Sequence, residues 1–383
     1  MRPSDDTRAP QMGWLPLVLR LLGVALALYA FLVGIGGMSS AFKWMGAEYT
    51  EQLLGGQHGP IVSLFIGILA TTLVQSSSTT TSIVVGMVAA GAIELDSAVF
   101  MVMGANVGTT VTNTIVSLGH ITRSEEYERA FAAATVHDFF NLIVLAVLFP
   151  LEWATGLLHT LAVACTETFQ HVGGMKLANP VKAMTKPAIK LLRAAIEDMG
   201  FTGPVMAVVA VTLTFVGLLM LVKLLRAIMV TRLSSLFDAV LFRTPVRSLL
   251  FGIALTILVQ SSSITTSIAI PLVGAGALTI TQVFPYTMGA NIGTTATALL
   301  ASLGAFAAAA PADQATALLG LSLAFHHVLF NVIGVAFMWP MRGVPIAIAR
   351  RFARLAQANR VIPIIYIVTA FYVLPFVIVW LGD

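Results

Sequence analysis

The sequence has little charge and almost no cysteine. Asp, Glu, Lys and Arg make up 10% of its 383 residues, whereas 58% are hydrophobic and the mean hydropathy is +0.93. This composition excludes an ordinary soluble domain and predicts an all-α polytopic membrane protein. A single cysteine, Cys165, excludes a disulfide within the chain. The small basic excess is typical of loops at a cytoplasmic membrane face, so we expect lipid around the protein and no nucleic-acid partner.

Basic side chains are missing from two long stretches, 45–121 and 249–340. An anion bound there must be held by helix N-termini, hydroxyls and amides, or by a companion cation. The carbonyl ends of broken helices, together with Gln, Ser and Thr oxygens, suit a dehydrated alkali cation. The pattern therefore fits an anion and sodium that bind side by side and offset each other's burial.

One polar segment occurs twice. Residues 73–112 read LVQSSSTTTSIVVGMVAAGAIELDSAVFMVMGANVGTTVT, and residues 258–297 read LVQSSSITTSIAIPLVGAGALTITQVFPYTMGANIGTTAT, at an offset of 185. The polar positions that recur are Gln75 with Gln260, Ser76–Ser78 with Ser261–Ser263, Asn106 with Asn291, and Thr109–Thr110 with Thr294–Thr295. Ser, Thr and Gly are also common packing residues of membrane helices. Two copies with the same spacing favour a binding site shared by two halves.

Seven stretches are long and apolar enough to cross a bilayer. They are 14–38, 97–118, 130–150, 204–224, 283–303, 315–339 and 361–381. The apolar stretches on either side of each Gln-Ser-Ser-Ser are too short to cross, so we predict re-entrant helical hairpins at 61–92 and 247–280. Gly and Asn in mid-helix predict that the following spans, 97–118 and 283–303, are both interrupted.

The predicted organisation follows from these spans. It comprises a tail at 1–13, a first repeat at 61–165, a linker at 166–203, and a second repeat at 246–355, with the spans 14–38, 204–224 and 361–381 outside the repeats. Most Lys and Arg lie in connections that place the tail in the cytoplasm and the linker outside. The first hairpin then enters from outside and the second from inside, so we predict two inverted-topology repeats.

A second pair of motifs lies downstream. His137, Phe140, Asn141 and Pro150 recur as His327, Phe330, Asn331 and Pro340. Asp138 breaks this symmetry, because its counterpart is Val328. An acidic residue within a span is a functional candidate, although pairing with a buried neighbour is the structural alternative.

The two Gln-Ser-Ser-Ser segments, the Gly-Ala-Asn-Ile-Gly-Thr-Thr stretch at 289–295 and the Ala-Thr-Val-His-Asp-Phe-Phe-Asn stretch at 134–141 resemble the type II sodium-dependent phosphate cotransporter family. The resemblance implies a compact bacterial member in the inner membrane. Such a protein is a symporter and not an enzyme: it imports inorganic phosphate with sodium as co-substrate, has no organic cofactor, and acts as a homodimer with an elevator-like movement.

The resemblance also assigns site residues. It assigns phosphate binding to Gln75, Ser76, Ser77, Ser78, Asn106, Thr109, Ser262, Ser263 and Asn291. It assigns one sodium site to Gln260, Ser261, Thr294 and Thr297, and a further sodium site to Asp138 and Asn141. Asp138 implies electrogenic transport, with about three sodium ions per divalent phosphate, so that the uncompensated charge adds about 2.3 kcal/mol of driving force per 100 mV.

Two other functions stay open at this point. One is a symporter of the same architecture for another oxyanion, such as sulfate or a dicarboxylate. The other is a membrane-embedded hydrolase that uses one of the serines. The sequence argues against the hydrolase, because no Lys or His lies at motif spacing from these serines and the site is a symmetric pair.

Overall fold

A computed structural model describes residues 14–45, 58–122, 124–171, 178–233 and 242–382. Within these ranges the chain is helical nearly throughout and contains no β-strand, so the predicted all-α class is confirmed. The predicted tail at 1–13 lies outside the described residues.

The described chain forms sixteen α-helices, numbered here in chain order. They are α1 (Trp14–Met45), α2 (Pro60–Val74), α3 (Ser77–Ala89), α4 (Leu95–Gly108), α5 (Val111–Ser117), α6 (Ser124–Thr155), α7 (Leu157–His171), α8 (Ala178–Asp198), α9 (Gly203–Leu233), α10 (Pro245–Val259), α11 (Ser262–Gly274), α12 (Ile280–Ala308), α13 (Gln314–Met338), α14 (Gly343–Ala358), α15 (Val361–Val368) and α16 (Leu374–Gly382). Short 3₁₀ turns follow α5 and α12, and a π-helical segment, Thr369–Val373, joins α15 to α16.

All seven predicted spans coincide with helices that are long and apolar enough to cross a membrane. These are Trp14–Met38, Leu95–His120, Ser124–Thr155, Gly203–Leu221, Ile280–Ala308, Pro311–Met338 and Val361–Gly382. Their boundaries extend beyond the predicted ones mainly where polar residues form the first or last helical turn, as at the start of α6. The chain is therefore an integral membrane protein.

Four shorter apolar helices form two pairs, and each pair contains one copy of the Gln-Ser-Ser-Ser motif. The first pair is α2 with α3, and the second is α10 with α11. Each pair has 15 residues before the motif's break and 13 after it. At 1.5 Å per residue neither arm spans the roughly 30 Å hydrocarbon core. Their re-entry from opposite sides and the inverted relation of the two repeats stay predictions.

The spans that follow the two helix pairs, 97–118 and 283–303, were both predicted to be interrupted. This prediction is correct for the first copy and wrong for the second. The first copy breaks at Thr109 and Thr110, between α4 and α5. The second copy continues through the equivalent residues as one helix, α12, of 29 residues.

The glycines of the motif serve helix packing, which explains why they need not break α12. A Cβ on Gly104 would lie 2.0 Å from the Leu64 carbonyl oxygen of α2, and one on Gly289 would lie 2.1 Å from the Leu249 carbonyl oxygen of α10. Only a hydrogen fits in these places, so α4 lies directly against α2 and α12 directly against α10.

Outside the two repeats, α1 and α9 pair antiparallel. Gly217 of α9 lies against the Phe31 backbone, and Gly203 lies against Met45 at the other end of the pair. The predicted linker at 166–203 contains the helix α8, which buries Ile189 and Ile196 and exposes Lys190 and Arg193. This helix packs on α1 and α12.

Candidate functional site

The same turn occurs at the tip of both helix pairs. Gln75 and Gln260 have φ angles of 57° and 58°, and they are the only residues other than glycine with positive φ in the described chain. Side chains disfavour this left-handed backbone. In both copies the glutamine Nε2 donates back to a carbonyl of its own helix, that of Thr72 or Ile257, which helps to hold the turn.

A serine then starts the second helix of each pair. The Ser76 Oγ accepts the Thr79 N–H at 3.2 Å, and the Ser261 Oγ accepts the Ile264 N–H at 3.3 Å. Both serines are N-caps, which satisfy one of the N–H groups left free at a helix start. The chain therefore reverses sharply at each tip without a glycine.

A threonine from the next span bonds to each glutamine. The Thr112 Oγ1 donates to the Gln75 Oε1 at 2.9 Å, and the Thr297 Oγ1 donates to the Gln260 Oε1 at the same distance. Thr297 belongs to the predicted sodium set, whereas Thr112 was not predicted. The constant offset of 185 identifies Thr112 as its counterpart and could have revealed it.

Both tips line one cavity of about 680 Å³. Gln75 and Ser76 contribute from the first tip, and Ser261 and Ser263 contribute from the second. Among the described residues, those that line the cavity include no charged side chain. The volume is in the range of small-molecule sites and leaves room for water around a small ion.

The serines after each N-cap have free polar groups. The first backbone bonds of α3 and α11 join Thr80 N–H to the Ser76 carbonyl and Thr265 N–H to the Ser261 carbonyl. The N–H groups of Ser77–Ser78 and Ser262–Ser263 precede these bonds. Within the described part of the chain, no hydrogen bond involves the hydroxyls of these four serines, although each serine is less than 9% exposed.

Amides from both repeats meet in one buried network. The Asn141 side chain donates to the Asn106 carbonyl at 2.8 Å and accepts from the Asn291 Nδ2 at 2.7 Å. The two histidines cross over: His137 of the first repeat contacts the Asn291 Oδ1 at 2.6 Å, and His327 of the second contacts the Asn106 Oδ1 at 3.4 Å. The two predicted asparagines are thus held in one network, and His137 and His327 join it.

The contacts of His137 determine its tautomer. The Asn113 Oδ1 accepts hydroxyl protons from Thr266 and Ser267, so the Asn113 Nδ2 faces the His137 Nδ1 at 3.1 Å. A ring nitrogen that faces an amide donor must accept, and the one that faces the Asn291 oxygen must donate. This orientation of the two amides suits an imidazole with its proton on Nε2. Asn113 has no polar counterpart in the second copy, where Ala298 occupies the position, so the repeat gave no signal for it.

Asp138 lies in a separate group of polar side chains. Its Oδ2 accepts from the Thr114 hydroxyl at 3.1 Å and from the Tyr366 hydroxyl at 3.0 Å, while its Oδ1 has no hydrogen-bond partner although the residue is fully buried. Asn141, predicted to share a sodium with Asp138, is turned toward Asn106 and Asn291 instead. Tyr366 comes from the last span, which lies outside both repeats and offered no motif.

The predicted sodium residues of the second copy lie together around the Gln260–Thr297 bond. Thr294 is one turn before Thr297 on α12, and its hydroxyl donates to the Ala290 carbonyl at 3.1 Å. Ser261 caps α11 next to Gln260. Gln260, Thr294 and Thr297 are each buried to more than 90%.

The chain is similar to known proteins over most of its length. A family model described as Na+/Pi-cotransporter matches residues 30–152 and 213–362. The sodium-dependent phosphate transport protein 2A of Ovis aries is 31% identical over 455 residues, which cover 97% of this chain and 70% of that protein. The sodium-dependent phosphate transport protein 2B of Homo sapiens is 28% identical, and the aligned residues cover 97% of this chain and 66% of that protein. No solved structure matches the chain.

Proposed function

Because the chain belongs to the Na+/Pi-cotransporter family, in its type II branch, we propose that it couples the uptake of inorganic phosphate to the entry of sodium. Membership of this family makes it a transporter and not an enzyme. The observation that carries the proposal is the cavity where the two serine tips meet. Its donors are hydroxyls and helix N-termini, which suit an anion, and it has no charged side chain that would bind the anion too firmly for release.

Phosphate is proposed to bind between the tips. The N-termini of α3 and α11 each supply roughly half a positive charge and free N–H groups. Hydroxyls of Ser77, Ser78, Ser262 and Ser263 add donors with no competing protein partner. Asn106 and Asn291 stand behind the tips, where the amide network fixes their orientation, and Gln75, Ser76 and Thr109 complete the predicted set.

Sodium is proposed to bind in two places. The first is the group around Gln260, Ser261, Thr294 and Thr297, whose oxygens keep lone pairs after their internal hydrogen bonds are made. The second is Asp138, whose free Oδ1 is a buried oxygen that a cation would satisfy. Thr114 and Tyr366 already donate to its Oδ2, and Asn141 would have to turn from Asn106 to join the site.

The stoichiometry, the movement during transport and the membrane location of the protein complete the proposed function. We propose about three sodium ions per divalent phosphate, which leaves one positive charge to respond to the membrane potential. The repeats are proposed to carry the site by an elevator movement in a homodimer. The protein is placed in a bacterial inner membrane with its N-terminus in the cytoplasm, as the distribution of Lys and Arg indicates.

Uptake of labelled phosphate into proteoliposomes tests the proposal. We expect uptake to follow an inward sodium gradient and to fall to background when choline replaces sodium. Excess unlabelled phosphate should compete, and excess sulfate or a dicarboxylate should not. Uptake that is the same without sodium would refute coupling, and preferred uptake of sulfate or a dicarboxylate would identify another oxyanion as the substrate.

Asp138→Asn should abolish the response of transport to voltage. Removal of the carboxylate takes away one cation site, so the transported charge falls from about one to zero and the stimulation of up to about 50-fold per 100 mV disappears. A potassium gradient with valinomycin sets the potential in the proteoliposomes. Asp96→Asn, the same change at an exposed position, is the matched control. Unchanged voltage stimulation in Asp138→Asn would remove Asp138 from the sodium sites.

A further inference from the structure

The ends of two helices lie side by side at the first tip. Helices α2 and α4 run in the same direction, because Gly104 packs against Leu64 and Gly108 packs against Ile68, one turn farther along both helices. α2 ends at Val74 and α4 ends at Gly108. The last carbonyls of a helix lack intrahelical donors and carry roughly half a negative charge. The ends of α2 and α4 therefore both lie near Gln75, although the Ala105, Asn106 and Val107 carbonyls at the end of α4 already accept hydrogen bonds.

Only one helix end lies at the second tip. α10 ends at Val259 there, but α12 continues past the positions equivalent to Gly108 and Thr109, so its carbonyls stay within the helix. The first tip therefore differs from the second tip, to which the resemblance assigns sodium, by a break in the helix that carries Thr109 and Thr112.

A threonine hydroxyl at the first tip has no partner. The Thr109 Oγ1 is buried without a hydrogen bond, and the residue is 3% exposed. Its counterpart Thr294 donates to the Ala290 carbonyl. Thr109 lies three residues before Thr112, on the same side of the chain in near-helical backbone. Its free oxygen thus lies beside the Thr112–Gln75 bond, one turn away.

We propose that Gln75, Thr109 and Thr112 hold an alkali cation, a sodium site in the first copy that mirrors Gln260, Thr294 and Thr297. This site deepens the proposed function and rests on it. Gln75 and Thr109, which the resemblance gives to phosphate, then act on the anion through the bound cation.

The hydrogen bonds at the tip explain why a cation fits these three residues better than an anion does. The Thr112 hydroxyl donates its proton to the Gln75 Oε1, so both oxygens can offer only lone pairs to a third group. The Gln75 Nε2 faces the Thr72 carbonyl of its own helix and is turned away from Thr112. An anion would meet oxygen lone pairs and the C-terminus of α2 here, which repel it.

The position of the site also separates it from its counterpart. Gln75 and Thr112 line the 680 Å³ cavity, whereas Gln260 and Thr297 do not. A cation at the first tip would therefore lie next to the N-terminus of α3, where phosphate is proposed to bind. Opposite charges that bind as neighbours stabilise each other, so occupancy of this site should raise the affinity for phosphate.

The test compares variants that remove and restore the hydroxyls. Thr109→Val with Thr112→Val keeps the shape of both side chains and deletes both oxygens, and Thr112→Val alone is a milder version for use if the double variant folds poorly. Thr109→Ser with Thr112→Ser is the rescue, and Thr160→Val, at an exposed threonine, controls for the substitution itself. Two measurements are made: the sodium dependence of phosphate uptake, and the rise in melting temperature of purified protein when sodium replaces choline without phosphate.

The valine variants should need about tenfold more sodium for half-maximal uptake, with a Hill coefficient lower by about one, and should lose part of the sodium-dependent rise in melting temperature. The serine pair should recover both. If the valine variants keep the sodium response and only their half-saturation for phosphate rises, these residues bind phosphate and the cation site is refuted. If wild-type protein shows no sodium-dependent uptake, the proposed function fails, while the melting measurement still tests the site.

Discussion

Phosphate affinity should fall by about 10²- to 10⁴-fold when Ser77→Ala and Ser262→Ala are combined. Each hydroxyl is free of protein partners and follows an N-cap serine, Ser76 or Ser261, that lines the shared cavity. A hydrogen bond to a charged group contributes about 1.5–3 kcal/mol, and two such bonds amount to this loss of affinity. The half-saturating phosphate concentration for uptake into proteoliposomes, at fixed sodium, measures the effect.

The chain offers a control with the same symmetry. Ser63 and Ser248 are also related by the offset of 185, and both are fully buried near the start of α2 and α10, away from the tips. Their hydroxyls bond to the His58 and Thr244 carbonyls. Ser63→Ala with Ser248→Ala should leave the half-saturation for phosphate near that of wild type. Equal half-saturation in the two double variants would show that Ser77 and Ser262 do not contact the substrate.

Composition and repetition predicted much of this molecule for a physical reason. A bilayer permits few spanning structures, so long apolar stretches translate directly into helices, and all seven were found. The duplicated Gln-Ser-Ser-Ser segment predicted two breaks because polar residues interrupt apolar runs there, and both occur at Gln75 and Gln260. These features are local, because each depends on residues that lie within a few dozen positions of one another in the sequence.

The features that the sequence did not predict depend on contacts between distant segments. Tyr366 reaches Asp138 from the last span, and Asn113 reaches Thr266 of α11. Neither contact has a counterpart in the other copy, so internal symmetry could not reveal it. The continuous α12 was mispredicted because Gly289 and Gly293 were interpreted as helix breakers. Both glycines instead pack closely against the neighbouring helix, α10, as their counterparts Gly104 and Gly108 pack against α2.

This packing predicts the largest losses of stability in the protein. Gly104→Ala would place a methyl group 2.0 Å from the Leu64 carbonyl oxygen and 2.9 Å from the Ile68 nitrogen. Helix backbone cannot swing away as a flexible side chain can, so α2 and α4 must separate. We expect a cost of about 3 kcal/mol, and a similar cost for Gly289→Ala, where the Leu249 carbonyl oxygen lies 2.1 Å away. Thermal and denaturant unfolding of purified protein in detergent measures both.

Gly119→Ala is the matched control, because a Cβ at that position meets nothing within 4 Å; it should unfold like wild type. The double variant Gly104→Ala with Gly289→Ala should be destabilised by about the sum of the single costs, since the two contacts share no partner. Its transport should fall further than its folded fraction does, because α4 carries Asn106 and Thr109 and a shift of about 1 Å misplaces a binding group. Wild-type melting of Gly104→Ala would mean that the helices are farther apart than the structure has them, and that glycine at this position is not required for packing.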